Sequence, residues 1–333
     1  MIERIPIYLL TGFLGSGKTT LLKSWLQQPL LQNSALIVNE IGAVGLDHVT
    51  LGYASEASAL LVDACVCCTG LPGLHEALEN LFWARLHRSV PRFDAVVIET
   101  TGLADPAPLI ASLQSQQFVR ERYCLAGVVT TLGAPTALQT MAEFAEARAQ
   151  LDAAGAIVVT KTDLLGRGEL DAIGRALQRS NPATRMLCSM HGSLGAEEAW
   201  HAAARTAGPP AELPGSSSSA PMRRTWRAVD QHGAGSRFAG RGRPVHGANT
   251  RFEALAAARD IDSLRRSLDA LIAQHCATLL RMKGIARLVD GTTVVVQFTR
   301  GDRDAQLSVA SEATRLATGN MPAGVTLIFR LRR

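Results

Sequence analysis

Through about the first 190 residues, short apolar runs bounded by turn residues alternate with stretches whose apolar positions recur at helical spacing. The runs Ile5–Leu10, Ala35–Asn39, Ala59–Val62, Ala95–Glu99, Leu125–Thr130 and Ala156–Thr160 predict strands. Residues 19–27, 74–86, 136–151 and 169–179 predict helices, and Asn181-Pro182 stops the last of these. Alternation of this kind predicts a mostly parallel sheet flanked by helices.

The pattern fails over residues 205–249. Gly208-Pro209-Pro210, Pro214-Gly215, Ser216–Ser219 and scattered Gly-Arg pairs offer little to bury there, which predicts a flexible linker. Beyond it, Arg251–Ala257 predicts a strand and Ile261–Gln274 a helix. Leu279–Val289, Thr293–Phe298 and Val325–Leu331 predict further strands, with Asp290-Gly291 as a hairpin turn. The expected division is an α/β domain at 1–204, a basic linker at 205–249 and a small α+β domain at 250–333.

Composition narrows the class. The chain of 333 residues is 47% hydrophobic and 19% charged, ordinary for a globular protein, and has no apolar run long enough to span a membrane. Glu3 stands where a secretory signal would be basic. Three of the six cysteines crowd into Cys65, Cys67 and Cys68, which suits a reducing cytoplasm better than a disulfide framework. Cys124, Cys188 and Cys276 stand alone in apolar surroundings and read as core. The net charge is +5, yet Met222–Arg251 alone holds seven arginines against one acid, Asp230, so the rest of the chain is close to neutral. No aromatic platform or recognition helix accompanies those arginines, so they read as a solvated linker and not as a nucleic-acid interface.

Candidate chemistry begins at Gly12-Phe13-Leu14-Gly15-Ser16-Gly17-Lys18-Thr19-Thr20, which follows a strand and opens a helix. In that context the spacing G-x-x-x-x-G-K-[ST] predicts a P-loop. The glycines turn backbone N–H groups around phosphate oxygens, Lys18 reaches the β- and γ-phosphates, and the Thr19 hydroxyl binds Mg²⁺. Thr160-Lys161-Thr162-Asp163 follows another strand and matches a guanine-reading N-K-x-D loop, with Thr160 in place of the asparagine. The Asp163 carboxylate would accept from guanine N1–H and N2–H₂, a donor pair that adenine lacks, while Lys161 lays its stem against the base. Glu99 ends the most apolar strand, where a Walker B acid approaches Mg²⁺, and the N–H of Gly102 can meet the γ-phosphate. Asp47 and Glu99 are the candidates for positioning the attacking water.

Cys65-Val66-Cys67-Cys68 follows a strand and precedes a Gly-Pro turn. Three thiolates on a turn select a soft or borderline ion and leave one tetrahedral position open. A redox pair from Cys65 and Cys68, or simple burial, are the alternatives.

Taken together, these residues resemble the CobW-like P-loop GTPases, a group that includes the HypB and UreG nickel-insertion GTPases. Gly12–Thr20 resembles that family's G-F-L-G-[SA]-G-K-T-T. Asn39–Asp47 is similar to its N-E-[FI]-G…G-x-D switch segment, Cys65–Cys68 to its C-x-C-C, and Glu99–Pro106 to its E-[TS]-x-G-x-A-D-P. Arg281-Met282-Lys283-Gly284 resembles the R-x-K-G of its C-terminal domain. The resemblance implies a SIMIBI-type GTPase domain followed by a ferredoxin-like domain. It also implies GTP and GDP with Mg²⁺ as ligands, and Glu40 joining the cysteines around a delivered Zn²⁺ or Co²⁺. The implied recipient is a client metalloprotein or a metal-cofactor biosynthetic enzyme, and a GTP-dependent homodimer is compatible with this. Asp63-Ala64 departs from the family's N-G, and the His-rich loop of many members is missing, which argues against metal storage. A small-molecule P-loop kinase and a non-catalytic metal or nucleotide sensor stay open at this level.

Overall fold

The computed structural model describes residues 4–38, 60–62, 71–204, 248–311, 315 and 322–330. The N-terminal elements are β1 (Ile5–Gly12), α1 (Lys18–Trp25), β2 (Ser34–Val38), β3 (Leu60–Val62), α2 (Leu71–Leu86) and β4 (Ala95–Glu99). They continue with α3 (Pro106–Ser115), α4 (Gln117–Arg122), β5 (Tyr123–Gly133), α5 (Ala137–Glu143) and α6 (Ala145–Asp152). The last are β6 (Ala156–Thr160), α7 (Arg167–Ser180), β7 (Arg185–Ser189) and α8 (Ala196–Ala204). Seven strands pair in the order β3-β2-β4-β1-β5-β6-β7, and every pair is parallel.

Apolar side chains cover both faces of this sheet, as continuous apolar strands require. On one face Leu21, Leu22 and Trp25 of α1 and Trp200 of α8 pack against Leu10, Leu36, Val97 and Val158. On the other, Leu74 and Leu78 of α2 with Leu109 and Leu113 of α3 cover Ile7, Leu9, Ile37 and Ile98. Asp105 caps α3 by accepting from the Ala107 N–H at 2.9 Å, and Pro106 fills the first helical position.

The helix expected over 136–151 is broken. Phe144 is extended (φ −116°, ψ 121°) and separates α5 from α6. Its ring lies 4.5 Å from that of Phe13, so burial of an aromatic side chain outweighs the local helical preference. The lone cysteines also differ from expectation: Cys124 is partly buried, and Cys188 and Cys276 are exposed. Cys188 lies on β7, an edge strand, and Cys276 follows the end of a helix, so neither position has a second layer to bury it.

The C-terminal elements are β8 (Ala248–Ala254), α9 (Ile261–His275), β9 (Leu279–Arg287), β10 (Thr293–Thr299), β11 (Gln306–Val309) and β12 (Gly324–Arg330). They form an antiparallel sheet in the order β11-β10-β9-β12-β8, an α+β unit as expected. β8-α9-β9 is a split β-α-β unit with β12 between its strands, and β8 stands at the edge. Leu264 and Leu268 of α9 cover one face, against Met282, Val294, Val296 and Leu327.

The opposite face of this second sheet meets the first unit. Leu280 and Ile328 bury with Phe13, Leu14, Leu103 and Phe144 in one apolar cluster. Beside it, Glu143 accepts from Arg330 at 2.8 Å and from Arg300 at 3.3 Å. A hydrogen bond from Gln139 and the two guanidinium charges hold the Glu143 carboxyl below the usual range. Among the described residues, no helix is long and apolar enough to cross a membrane.

Candidate functional site

The loop after β1 is built by its glycines. Gly15 has φ 70° and Gly17 φ 85°, a left-handed region where side chains are disfavoured. Gly15 is further restricted by contact, because a Cβ there would stand 2.0 Å from the Thr299 methyl of the second sheet. Gly17 is the N-cap of α1; no side chain caps that helix start, and its first turn carries no acid. A helix N-terminus of this kind favours an anion. Lys18 donates to the carbonyls of Gly12 (2.7 Å) and Phe13 (3.1 Å). Behind the loop, the Ser16 and Thr131 hydroxyls lie 2.6 Å apart and tie the loop to β5.

β4 lies directly beside β1 in parallel register, which brings Glu99 opposite Leu10 at the sheet's carboxyl edge. There the Thr19 hydroxyl donates to Glu99 Oε1 at 2.9 Å. A hydroxyl and a carboxylate so placed are the hard oxygen donors that Mg²⁺ takes, so these residues fit that ion. Lys23 stands near the same carboxylate; burial lowers the ammonium's pKa and the Glu99 charge opposes the shift. Gly102 packs so tightly that a Cβ on it would stand 2.7 Å from the Leu14 nitrogen. Gln150 holds this segment by donating to the carbonyls of Gly102 (3.2 Å) and Ala104 (2.9 Å).

The Thr160–Asp163 loop leaves β6 beside the P-loop. The Thr160 hydroxyl donates to the Ser16 carbonyl at 2.7 Å, a brace from this loop to the P-loop. Lys161 is left-handed (φ 57°), and its ammonium lies 3.8 Å from Asp302 of the second sheet. Asp163 Oδ2 lies 3.5 Å from His191 Nε2.

A cavity of about 250 Å³ joins the P-loop, the β4 end and Lys161, while Thr160 and Asp163 are not among its lining residues. Its walls include Gly15, Gly17, Lys18, Thr19, Thr20, Glu99, Gly102 and Lys161, which the spacing of motifs had singled out. They also include Lys23, Gln297, Thr299, Asp302 and Gln306, which it had not, and Arg281, known from sequence only as part of the R-x-K-G resemblance. The signal for the hydroxyl network was available as polar residues ending apolar strands (Thr11, Thr100, Thr130, Thr131). No sequence signal places the second sheet here. Glu40, Asp47, Cys65, Cys67 and Cys68 lie outside the described residues.

Residues 6–188 match the family model described as the CobW/HypB/UreG nucleotide-binding domain. The zinc chaperone YjiA of Escherichia coli is 36% identical over 190 residues, 57% of this chain and 59% of that protein. The zinc chaperone CobW of a Sinorhizobium species is 32% identical over 200 residues, 51% of this chain and 54% of that protein. The chain thus spans less than two thirds of the length of either relative. Among solved structures, zinc(II)-bound YjiA GTPase from E. coli aligns over 98% of this chain and 94% of that one, at 24% identity and a TM-score of 0.48. Since the matched segment holds the P-loop, the β4 end and the Thr160–Asp163 loop and covers more than half of the sequence, the chain belongs to the CobW/HypB/UreG family.

Proposed function

We propose that this protein hydrolyses GTP and uses the nucleotide state to bind a zinc-class metal and deliver it to a client protein. The observation that carries the reading is the contact of Thr19 Oγ1 with Glu99 Oε1 at the mouth of a glycine-built phosphate loop. Backbone groups of Gly12, Gly15, Ser16, Gly17 and Thr20 cradle the phosphates, and Lys18 exchanges its carbonyl partners for β- and γ-phosphate oxygens. Thr19 and Glu99 would hold Mg²⁺, whose charge would offset that developing on the transferring phosphoryl group. Gly102 offers its N–H to the γ-phosphate. Thr160 braces the base loop, Lys161 lies along the base, and Asp163 accepts from guanine.

The cargo belongs to Cys65, Cys67 and Cys68 with Glu40, which follow β3 and β2 in sequence, two parallel strands that end at the same sheet edge. Two relatives being named zinc chaperones supports a zinc-class cargo, with Co²⁺ as a spectroscopic stand-in. Asp47 joins Glu99 as candidate for holding the attacking water. The protein acts in the cytoplasm, with a GTPase domain over 1–204 and a linker from 205 whose expected end at 249 moves to 247, because β8 begins at Ala248.

The test is a cobalt titration followed by thiolate-to-metal absorption, with GDP and with a non-hydrolysable GTP analogue. Affinity should differ by about 5–150-fold between the two states, and metal should strengthen GTP binding by the same factor. Equal affinities would remove the delivery role.

A further inference from the structure

Register in the C-terminal sheet shows which side chains its inner face presents to the P-loop. Arg281 on β9 pairs with Thr299 on β10 and with Ile328 on β12. Directly paired residues share one side of a sheet, so these three form a cross-strand row. Both ends of the row are anchored. The Thr299 methyl fills the space against Gly15, and Ile328 is buried with Leu14 and Leu103. Arg281, between them, is held over the P-loop and lines the same cavity as Lys18, Thr19, Glu99 and Gly102.

The row also has a direction. Its Thr299 end adjoins Asp302, which meets Lys161 of the base loop, while its Ile328 end meets Leu103, just past the β4 acid. Going from Thr299 to Ile328 therefore runs from the base side toward the side where the terminal phosphate lies beside Thr19 and Glu99. Lys283, two residues along β9, adds a buried cation to the same face as the half-buried Arg281. Among the described residues, the cavity walls carry four cationic side chains, Lys18, Lys23, Lys161 and Arg281, against two acids, Glu99 and Asp302. That excess suits a polyanion and exceeds what the P-loop alone provides.

We infer that Arg281 is a catalytic residue for nucleotide hydrolysis, contacting the terminal phosphate oxygens from the C-terminal sheet of the same chain. The inference rests on reading the cavity as a GTP site. Water attacks the γ-phosphorus, the bond from that phosphorus to the β-phosphate oxygen breaks, and GDP leaves with the electron pair. Phosphate and one proton are the other products. Arg281 neither gains nor loses a proton; its guanidinium stabilises the charge spread over the transferring group. Docking of the second sheet thereby becomes a condition for turnover.

The experiment compares full-length wild type, Arg281→Ala, Arg281→Lys and Glu143→Ala. Single-turnover GTP hydrolysis is measured with the dissociation constants of GDP and of a non-hydrolysable GTP analogue. Arg281→Ala should slow hydrolysis by about 10³-fold, the low end for an arginine contact of this kind. It should weaken the analogue about tenfold or more while leaving GDP within about twofold, because GDP lacks the phosphate that Arg281 touches. Arg281→Lys should recover part of the rate. Glu143→Ala breaks partly exposed inter-sheet ion pairs outside the cavity but leaves the apolar cluster of Phe13, Leu280 and Ile328 to keep the sheets docked, so it should hydrolyse GTP near the wild-type rate.

Wild-type turnover in Arg281→Ala, equal loss of GDP and analogue affinity, or the same loss in Glu143→Ala would overturn the inference. If the wild type itself does not hydrolyse GTP, the functional reading fails separately. The preference for analogue over GDP then decides: its disappearance in Arg281→Ala supports the contact, and its persistence overturns it.

Discussion

The parallel sheet meets the nucleotide cavity with loops at its carboxyl edge, whereas the antiparallel sheet meets it with a face. Strands buried on both sides can place chemistry only where they end, so the first sheet's contribution comes as contiguous segments after β1, β4 and β6. A sheet covered by a helix on one side keeps its other side free, so the second contributes residues from several strands and a turn, among them Arg281, Thr299, Asp302 and Ile328. Contiguous contributions make motifs. Scattered ones do not, and they depend on the docking that brings the face into place.

The largest effect should come from the first sheet. Lys18→Ala removes a charged contact to phosphate and should lower the GTP hydrolysis rate by about 10²–10³-fold, as loss of one preorganised donor does. Circular dichroism should stay native, since Lys18 is no part of the apolar core. An unchanged rate in a folded variant would end the GTPase assignment and remove one side of the comparison.

Phe13→Ala tests the second sheet's dependence on docking. Phe13 is buried with Phe144, Leu280 and Ile328, so truncation should cost about 3 kcal/mol in denaturant unfolding. A loss under about 1 kcal/mol would mean that this cluster does not hold the two sheets together.

A smaller change separates the loops from one another. Thr160→Val leaves the buried Ser16 carbonyl without its 2.7 Å donor, which should weaken binding by about 1–2 kcal/mol. GTP and GDP should weaken equally in fluorescence titrations, because the brace acts on the loop and not on the γ-phosphate. A loss confined to GTP would place the hydroxyl at the terminal phosphate instead.

The smallest effect concerns pH. The Glu143 carboxyl is depressed in the folded state, so its stabilising contribution is complete above the ordinary glutamate value of about 4.3. It fades as pH falls through the lower folded value. The stability difference between wild type and Glu143→Gln should therefore be flat from neutral pH to about 5 and shrink below that. A difference that grows on acidification would show that the Arg300 and Arg330 pairs oppose docking.

The strand Ala95–Glu99 and the strand Ala156–Thr160 were legible to the residue, and so was the P-loop spacing, because apolar runs and glycine spacing are local signals. α3 and α8 were not anticipated. α8 is alanine-rich and short, and its helical face becomes apolar only against β5 and Trp25. The break at Phe144 was equally invisible, since the reason for it is Phe13, 131 positions away along the chain.

By itself, the sequence determined the phosphate-loop spacing, the Thr160–Asp163 turn after β6, an acid at the end of β4 and the alternation that makes a parallel sheet. Each of these is set by residues within one turn or one strand of one another. Only the tertiary structure decided what Phe13 and Leu14 do. The P-loop spacing leaves them open, yet they anchor the second sheet through Leu280 and Ile328. It also decided that Thr160 braces Ser16, that Thr299 stands against Gly15, and that Arg281 lines the same cavity as Lys18. Those pairings join residues more than a hundred positions apart, and they exist only because packing the apolar faces of two sheets fixes their register against each other.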